Sequence, residues 1–147
     1  GLDTVERLVP RAREHTAFEL WNPIMERNRK QALRIIRRLM EDGAEPIAVV
    51  GALGSLYRKM LLAKDLMARG AAGPEVAAAT GQYGNRGGDF NGKVARVSRE
   101  EIVHGIRRIA WTDDNIKNSV GRPDILVEFL VAELTLPESA RWHTEFE

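Results

Sequence analysis

The stretch Pro46-Ile47-Ala48-Val49-Val50-Gly51-Ala52-Leu53-Gly54-Ser55-Leu56-Tyr57-Arg58-Lys59-Met60-Leu61-Leu62-Ala63-Lys64-Asp65-Leu66-Met67-Ala68-Arg69-Gly70 decides the fold class. Val49, Leu53, Leu56, Met60, Ala63 and Met67 recur at alternating steps of four and three residues, the spacing of a helix–helix packing seam. Val50, Tyr57 and Leu61 widen the stripe, so the predicted helix is contacted from two sides. Proline is well suited to the first turn of a helix, and Gly70 to its end. Burying one such apolar side chain stabilises by about 1.5–3 kcal/mol, so this seam can organise a domain.

Working outward, the same period continues on both sides. Upstream, Leu33, Ile36, Leu39 and Met40 predict the inner face of a helix over 29–42, with Lys30, Arg34, Arg37, Arg38 and Glu41 outside and Gly43 as its cap. A shorter helix is expected over 17–27, where Pro23 would sit in the first turn or break it. Downstream, an alanine-rich helix over 74–80 ends at Gly81. The stretch 82–92 holds four glycines and reads as the one irregular connector. Ser98-Arg99-Glu100-Glu101 is a capping box, opening a helix to about Ser119 with Ile102, Val103, Ile106, Ile109, Ala110 and Ile116 inward. Asp113 precedes Lys117 by four residues, the favourable order for a helical ion pair. A last helix over 124–136 stacks Ile125, Leu126, Phe129, Leu130 and Leu134. The expected architecture is all-α, a compact bundle of five to six helices. Residues 1–16 read as a lead-in or linker, 17–136 as the domain, and 137–147 as a tail.

Composition narrows the function. Hydrophobic residues make up 44% and charged residues 29% of 147, with a net charge of +1. These are globular values without a global basic field, so any nucleic-acid contact must be local. No cysteine is present, which excludes a disulfide or thiolate site within this sequence and fits a reducing compartment. No apolar run approaches the roughly 20 residues needed to span a bilayer, so no membrane span is expected. Gly1–Glu6 lacks the basic head and apolar centre of a signal peptide.

No catalytic constellation emerges. Gly87-Gly88-Asp89-Phe90-Asn91-Gly92-Lys93-Val94 has the glycine and lysine spacing of a phosphate loop, but Val94 stands where a magnesium-binding hydroxyl belongs. His15, His104 and His143 have no ligand-spaced partners and read as surface residues, so no metal and no cofactor is expected. Glu101 is accounted for by the cap and Asp113 by Lys117, which leaves no acid–base pair.

Three surfaces stand out. Arg34, Arg37 and Arg38 form a basic helix face able to meet phosphates or an acidic partner, as readily as it could be merely solvated. Tyr83 beside Arg86 in the glycine-rich stretch pairs an aromatic ring with a guanidinium, a combination that stacks on unpaired bases, although Tyr83 could equally pack back over a helix end. On the last helix Ile125, Leu126, Phe129 and Leu130 point in more directions than one core face requires, making them candidates for a partner interface.

The order of these motifs resembles the C-terminal domain of the delta subunit of the bacterial DNA polymerase III clamp loader. The likeness is carried by Phe18-Glu19-Leu20-Trp21-Asn22, by Ala32–Leu39 followed by Gly43, Glu45 and Pro46, by Leu53–Met67, and by Phe90–Ser98 leading to Asp113-Asp114-Asn115-Ile116-Lys117. The resemblance implies a helical collar domain, non-catalytic, whose upstream AAA+ module would contact the sliding clamp. It implies gamma/tau and delta-prime subunits as partners, primed DNA in the assembled loader, no membrane, and a cytoplasmic location. The glycine-rich stretch 84–92, the tail after Pro137, and Val120 in place of an aromatic in some members depart from the family pattern. The alternative is a stand-alone helical nucleic-acid-binding domain.

Overall fold

A computed structural model describes residues 16–82 and 84–137, excluding the side chains of 84–88. Seven helices occur among the described residues, with no strand among them. They are α1 (16–25), α2 (Arg29–Glu41), α3 (Pro46–Ala68), α4 (Gly73–Thr80), α5 (Gly84–Ala95), α6 (Arg99–Lys117) and α7 (Pro123–Leu134). The chain divides into two compact units. One comprises residues up to Gly54 and from Arg108 onward, the other Ser55–Arg107.

In the first unit, α1 buries Phe18, Leu20, Trp21 and Ile24, with the Phe18 and Trp21 rings edge to face at 5.7 Å. Pro23 neither opens nor breaks α1, contrary to the sequence expectation; it lies near the C-terminal end and costs only one intrahelical donor. The helix closes with Arg27 in the left-handed region (φ 56) and a 2.8 Å bond from the Asn28 amide to the Pro23 carbonyl. The Asn28 side chain then caps α2 by accepting from the Gln31 amide at 3.1 Å. At the far end of α2, Gly43 (φ 86) lets the Ala44 amide reach the Leu39 carbonyl at 2.9 Å, a Schellman closure.

The packed face of α2 is Ala32, Ile35 and Ile36, while Leu33, Leu39 and Met40 are only half-buried. The stripe read from sequence is therefore rotated by about a residue, because α2 packs against α7. Helix α7 presents Val127, Leu130, Val131 and Leu134 inward, all at 2% exposure or less.

In the second unit the seam of α3 is as expected: Leu56, Tyr57, Met60 and Ala63 are buried, and Met67 is half-buried. Val49, Val50 and Leu53 are likewise buried in the first unit's share of the helix. Helix α3 has an 18-residue window of mean hydropathy 1.2, enough by length and composition alone to cross a membrane, contrary to the sequence expectation. Of that window 44% is buried within the fold.

The main departure lies at 82–92, expected to be a connector: residues 84–95 form helix α5, which raises the count above six. The glycines lower helix propensity by about 1 kcal/mol each. Phe90 and Val94, one turn apart, are fully buried, and that burial outweighs the local preference. Lys64 Nζ donates to the Val94 and Ala95 carbonyls at 3.3 and 3.1 Å, placing a cation at the C-terminal end of α5. The Ser98 hydroxyl accepts from the Glu101 amide at 3.1 Å, as the capping box predicts. Along α6, Ile102 and Ile109 are buried and Ala110 is exposed, so the inward face is narrower than expected.

Candidate interaction surface

The outer face of α7 is built by the period that builds its core. With Val127, Leu130, Val131 and Leu134 turned inward, Ile125 and Phe129 fall on the opposite side, 39% and 69% exposed. Leu126 is half-buried, and Leu130, 2% exposed, belongs to the core. Leu130 is therefore withdrawn as an interface candidate, because α2 already packs against the inward side of the helix.

Phe129 is followed at helical spacing by Ala132, Glu133 and Leu136, and these four residues with Arg29 and Arg108 line a cleft of about 350 Å³. The Arg108 guanidinium stacks over the Trp111 ring, 4.5 Å from its centroid, and pairs with the Glu133 carboxylate at 2.8 Å. Such stacking contributes about 0.5–1 kcal/mol at an exposed site. Trp111 is nonetheless 48% exposed. The face thus combines Trp111, Phe129, Ile125 and a held arginine, of which tryptophan and arginine are residue types over-represented at binding hot spots. Sequence reading overlooked Trp111 and Arg108. The available signal was a tryptophan at an otherwise polar position of α6, three residues after an arginine.

The basic face of α2 is largely engaged within its own unit. Arg37 pairs with Glu128 of α7, and Arg38 with Glu19 of α1 at 3.2 Å. Among the described residues Arg34 bonds only the Gln31 amide oxygen, at 3.3 Å. Exposed pairs of this kind contribute roughly 0.2–1 kcal/mol each, yet they reduce the charge offered to phosphates. Tyr83 and the Arg86 side chain lie outside the described residues, as do His15 and His143.

His104 is 2% exposed, not at the surface as expected, because it lies on the buried arc of α6 with Glu101, one turn earlier. The phosphate-loop spacing resolves into α5 itself. Gly87 to Lys93 are helical, and Lys93 pairs with Asp89 one turn earlier at 3.5 Å. Amides engaged along a helix cannot converge on a phosphate. Among the described residues there is no group of three or more His, Asp or Glu side chains placed to hold a metal.

The described residues thus form an all-helical fold with two aromatic rings, Trp111 and Phe129, left exposed. The family model of the DNA polymerase III delta subunit, C-terminal domain, matches residues 14–134, and the chain belongs to that family. The DNA polymerase III subunit delta of Bacillus subtilis is 27% identical over 133 residues, 90% of this chain and 38% of the relative. A solved structure of the Bacillus subtilis DNA clamp loader delta protein superposes with a TM-score of 0.75 at 27% identity, covering 91% of this chain and 40% of that one. The chain thus spans about two-fifths of the length of the relatives it matches.

Proposed function

We propose that this chain is the non-catalytic collar domain of a delta subunit, joining gamma/tau and delta-prime subunits in the clamp loader that places the sliding clamp on primed DNA. Contact with the clamp itself would come from domains upstream of this one, in a bacterial cytoplasmic replisome. The observation that carries the reading is the exposed Ile125–Phe129 stripe on α7, together with membership of the family. An apolar face left outside a completed core marks a protein–protein surface. On the same reading Tyr83 and Arg86 contact template DNA, with Arg34, Arg37 and Arg38 as secondary phosphate contacts.

Size exclusion of the chain with gamma/tau and delta-prime subunits of the same organism tests the proposal. A stoichiometric complex is expected, since stable interfaces bury about 1,200–2,000 Å² in total. Elution of the chain alone, together with tight, steeply salt-dependent binding to duplex DNA, would establish the stand-alone nucleic-acid binder instead. The engagement of Arg37 and Arg38 by carboxylates argues against that alternative.

A further inference from the structure

We infer that the cleft beside Phe129 is the anchor point of the subunit contact, and that it seats an apolar side chain of the neighbouring subunit whose adjacent carboxylate pairs with Arg29. This inference rests on the assembly reading above and specifies the chemistry of the partner.

The cleft has an apolar lining in Phe129, Ala132 and Leu136, and three charged residues around it: Arg29, Arg108 and Glu133. Two guanidinium groups face one carboxylate there. Glu133 is committed to Arg108, which is also stacked on Trp111. Arg29 stands differently. Its Nε donates to the neutral Thr135 hydroxyl at 3.3 Å, and it pairs with no carboxylate among the described residues. The bond holds the guanidinium at the cleft without a counter-charge among the described residues.

Volume and charge together select the occupant. A site of about 350 Å³ is near the lower end of the roughly 300–1,000 Å³ of small-molecule pockets. Its fixed guanidinium presents paired donors suited to a carboxylate. A helix carrying an acidic residue one turn from an aliphatic or aromatic one supplies both groups on one face. Trp111 and Phe129 would then be the aromatic anchors around it, with Arg108 holding Trp111 in place.

The test measures the affinity of the chain for gamma/tau and delta-prime subunits by biolayer interferometry at low and high salt, for the parent and for Phe129→Ser, Arg29→Glu, Arg29→Lys and Ala132→Arg. Phe129 and Arg29 are exposed, and circular dichroism melts confirm that each variant folds. Should Arg29→Glu melt early through loss of the Thr135 bond, Ala132→Arg tests the site from its floor. Phe129→Ser, Arg29→Glu and Ala132→Arg are each expected to weaken assembly at least tenfold. Arg29→Lys should weaken it less, and Arg29→Glu should remove part of the parent's salt sensitivity. If the parent assembles and these variants assemble as tightly, the cleft inference falls while the collar reading stands. If the parent binds neither subunit, both fall. Loss of self-association alone would identify a second copy as the occupant, and loss of DNA affinity with assembly intact would identify nucleic acid; either overturns the inference.

Discussion

The backbone of Gly105 lies against the ring of Tyr57, so closely that a Cβ at position 105 would stand 2.4 Å from Tyr57 Cε2. Tyr57 is 2% exposed on α3, and Gly105 sits midway along α6. A glycine inside a helix costs about 1 kcal/mol relative to alanine, so here the lost propensity is exchanged for a close approach of α6 to an aromatic ring. Gly105→Ala is expected to destabilise the chain by about 1–3 kcal/mol, the usual cost of overpacking, despite its better helix propensity. Thermal melting followed by circular dichroism measures it. In a double-mutant cycle, Tyr57→Leu should make Gly105→Ala less harmful; equal costs in both backgrounds would show that the two positions do not interact.

Leu53 lies at the centre of the seam with no exposed surface. Leu53→Asp should unfold the chain, because an ionised carboxylate there loses hydration without gaining a counter-charge, a penalty of several kcal/mol. The far-UV circular dichroism signal at 25 °C reads this directly. A variant that melts within a few degrees of the parent would place Leu53 at an accessible surface instead.

Gln82 is 1% exposed, and neither its amide nitrogen nor its amide oxygen has a hydrogen-bond partner among the described residues. Leaving a buried polar group unsatisfied costs about 1–3 kcal/mol. Gln82→Met keeps the length of the side chain and removes both polar atoms, so it should raise stability by about 1 kcal/mol in urea titration. A lower midpoint with an unchanged slope would mean the amide is satisfied in solution, as by an internal water.

Lys117 is paired with Asp113 at 2.7 Å, and that hydrogen bond, followed by the charge of Asp113, holds its ammonium pKa above the ordinary lysine value. A pKa raised on folding contributes stability that is fully present below the unfolded value of about 10.4. The contribution is lost as pH rises through the higher folded value. Asp113→Asn should return the Lys117 titration, followed by NMR of its side-chain methylene, toward the ordinary value. It should also reduce the loss of melting temperature above about pH 10 that this pair produces. An unmoved Lys117 titration would assign the shift to another group.

Helices whose burial is periodic over many residues are legible without a structure. The 4–3 spacing from Val49 to Met67, the Gly43 cap, the Ser98 cap and the Asp113–Lys117 pair all depend on neighbours within about one or two turns, so local sequence determines them. The family likeness was legible for the same reason, since it rests on the order of such local motifs across residues 14–134.

Tertiary packing decided the rest. The register of the α2 stripe followed from where α7 lies against it, and the helical state of 84–95 from the burial of Phe90 and Val94. The sorting of α7 into a core face and an exposed one required the same information. Leu130 and Phe129 are adjacent and equally apolar in sequence, and only the enclosing helices give one 2% and the other 69% exposure. The cleft, too, joins Arg29 of α2 and Arg108 of α6 to α7 across long stretches of chain. Sequence determines which faces are apolar because side-chain direction repeats with the helix. Which apolar face is covered depends on contacts between residues far apart in the chain, and those exist only in the folded protein.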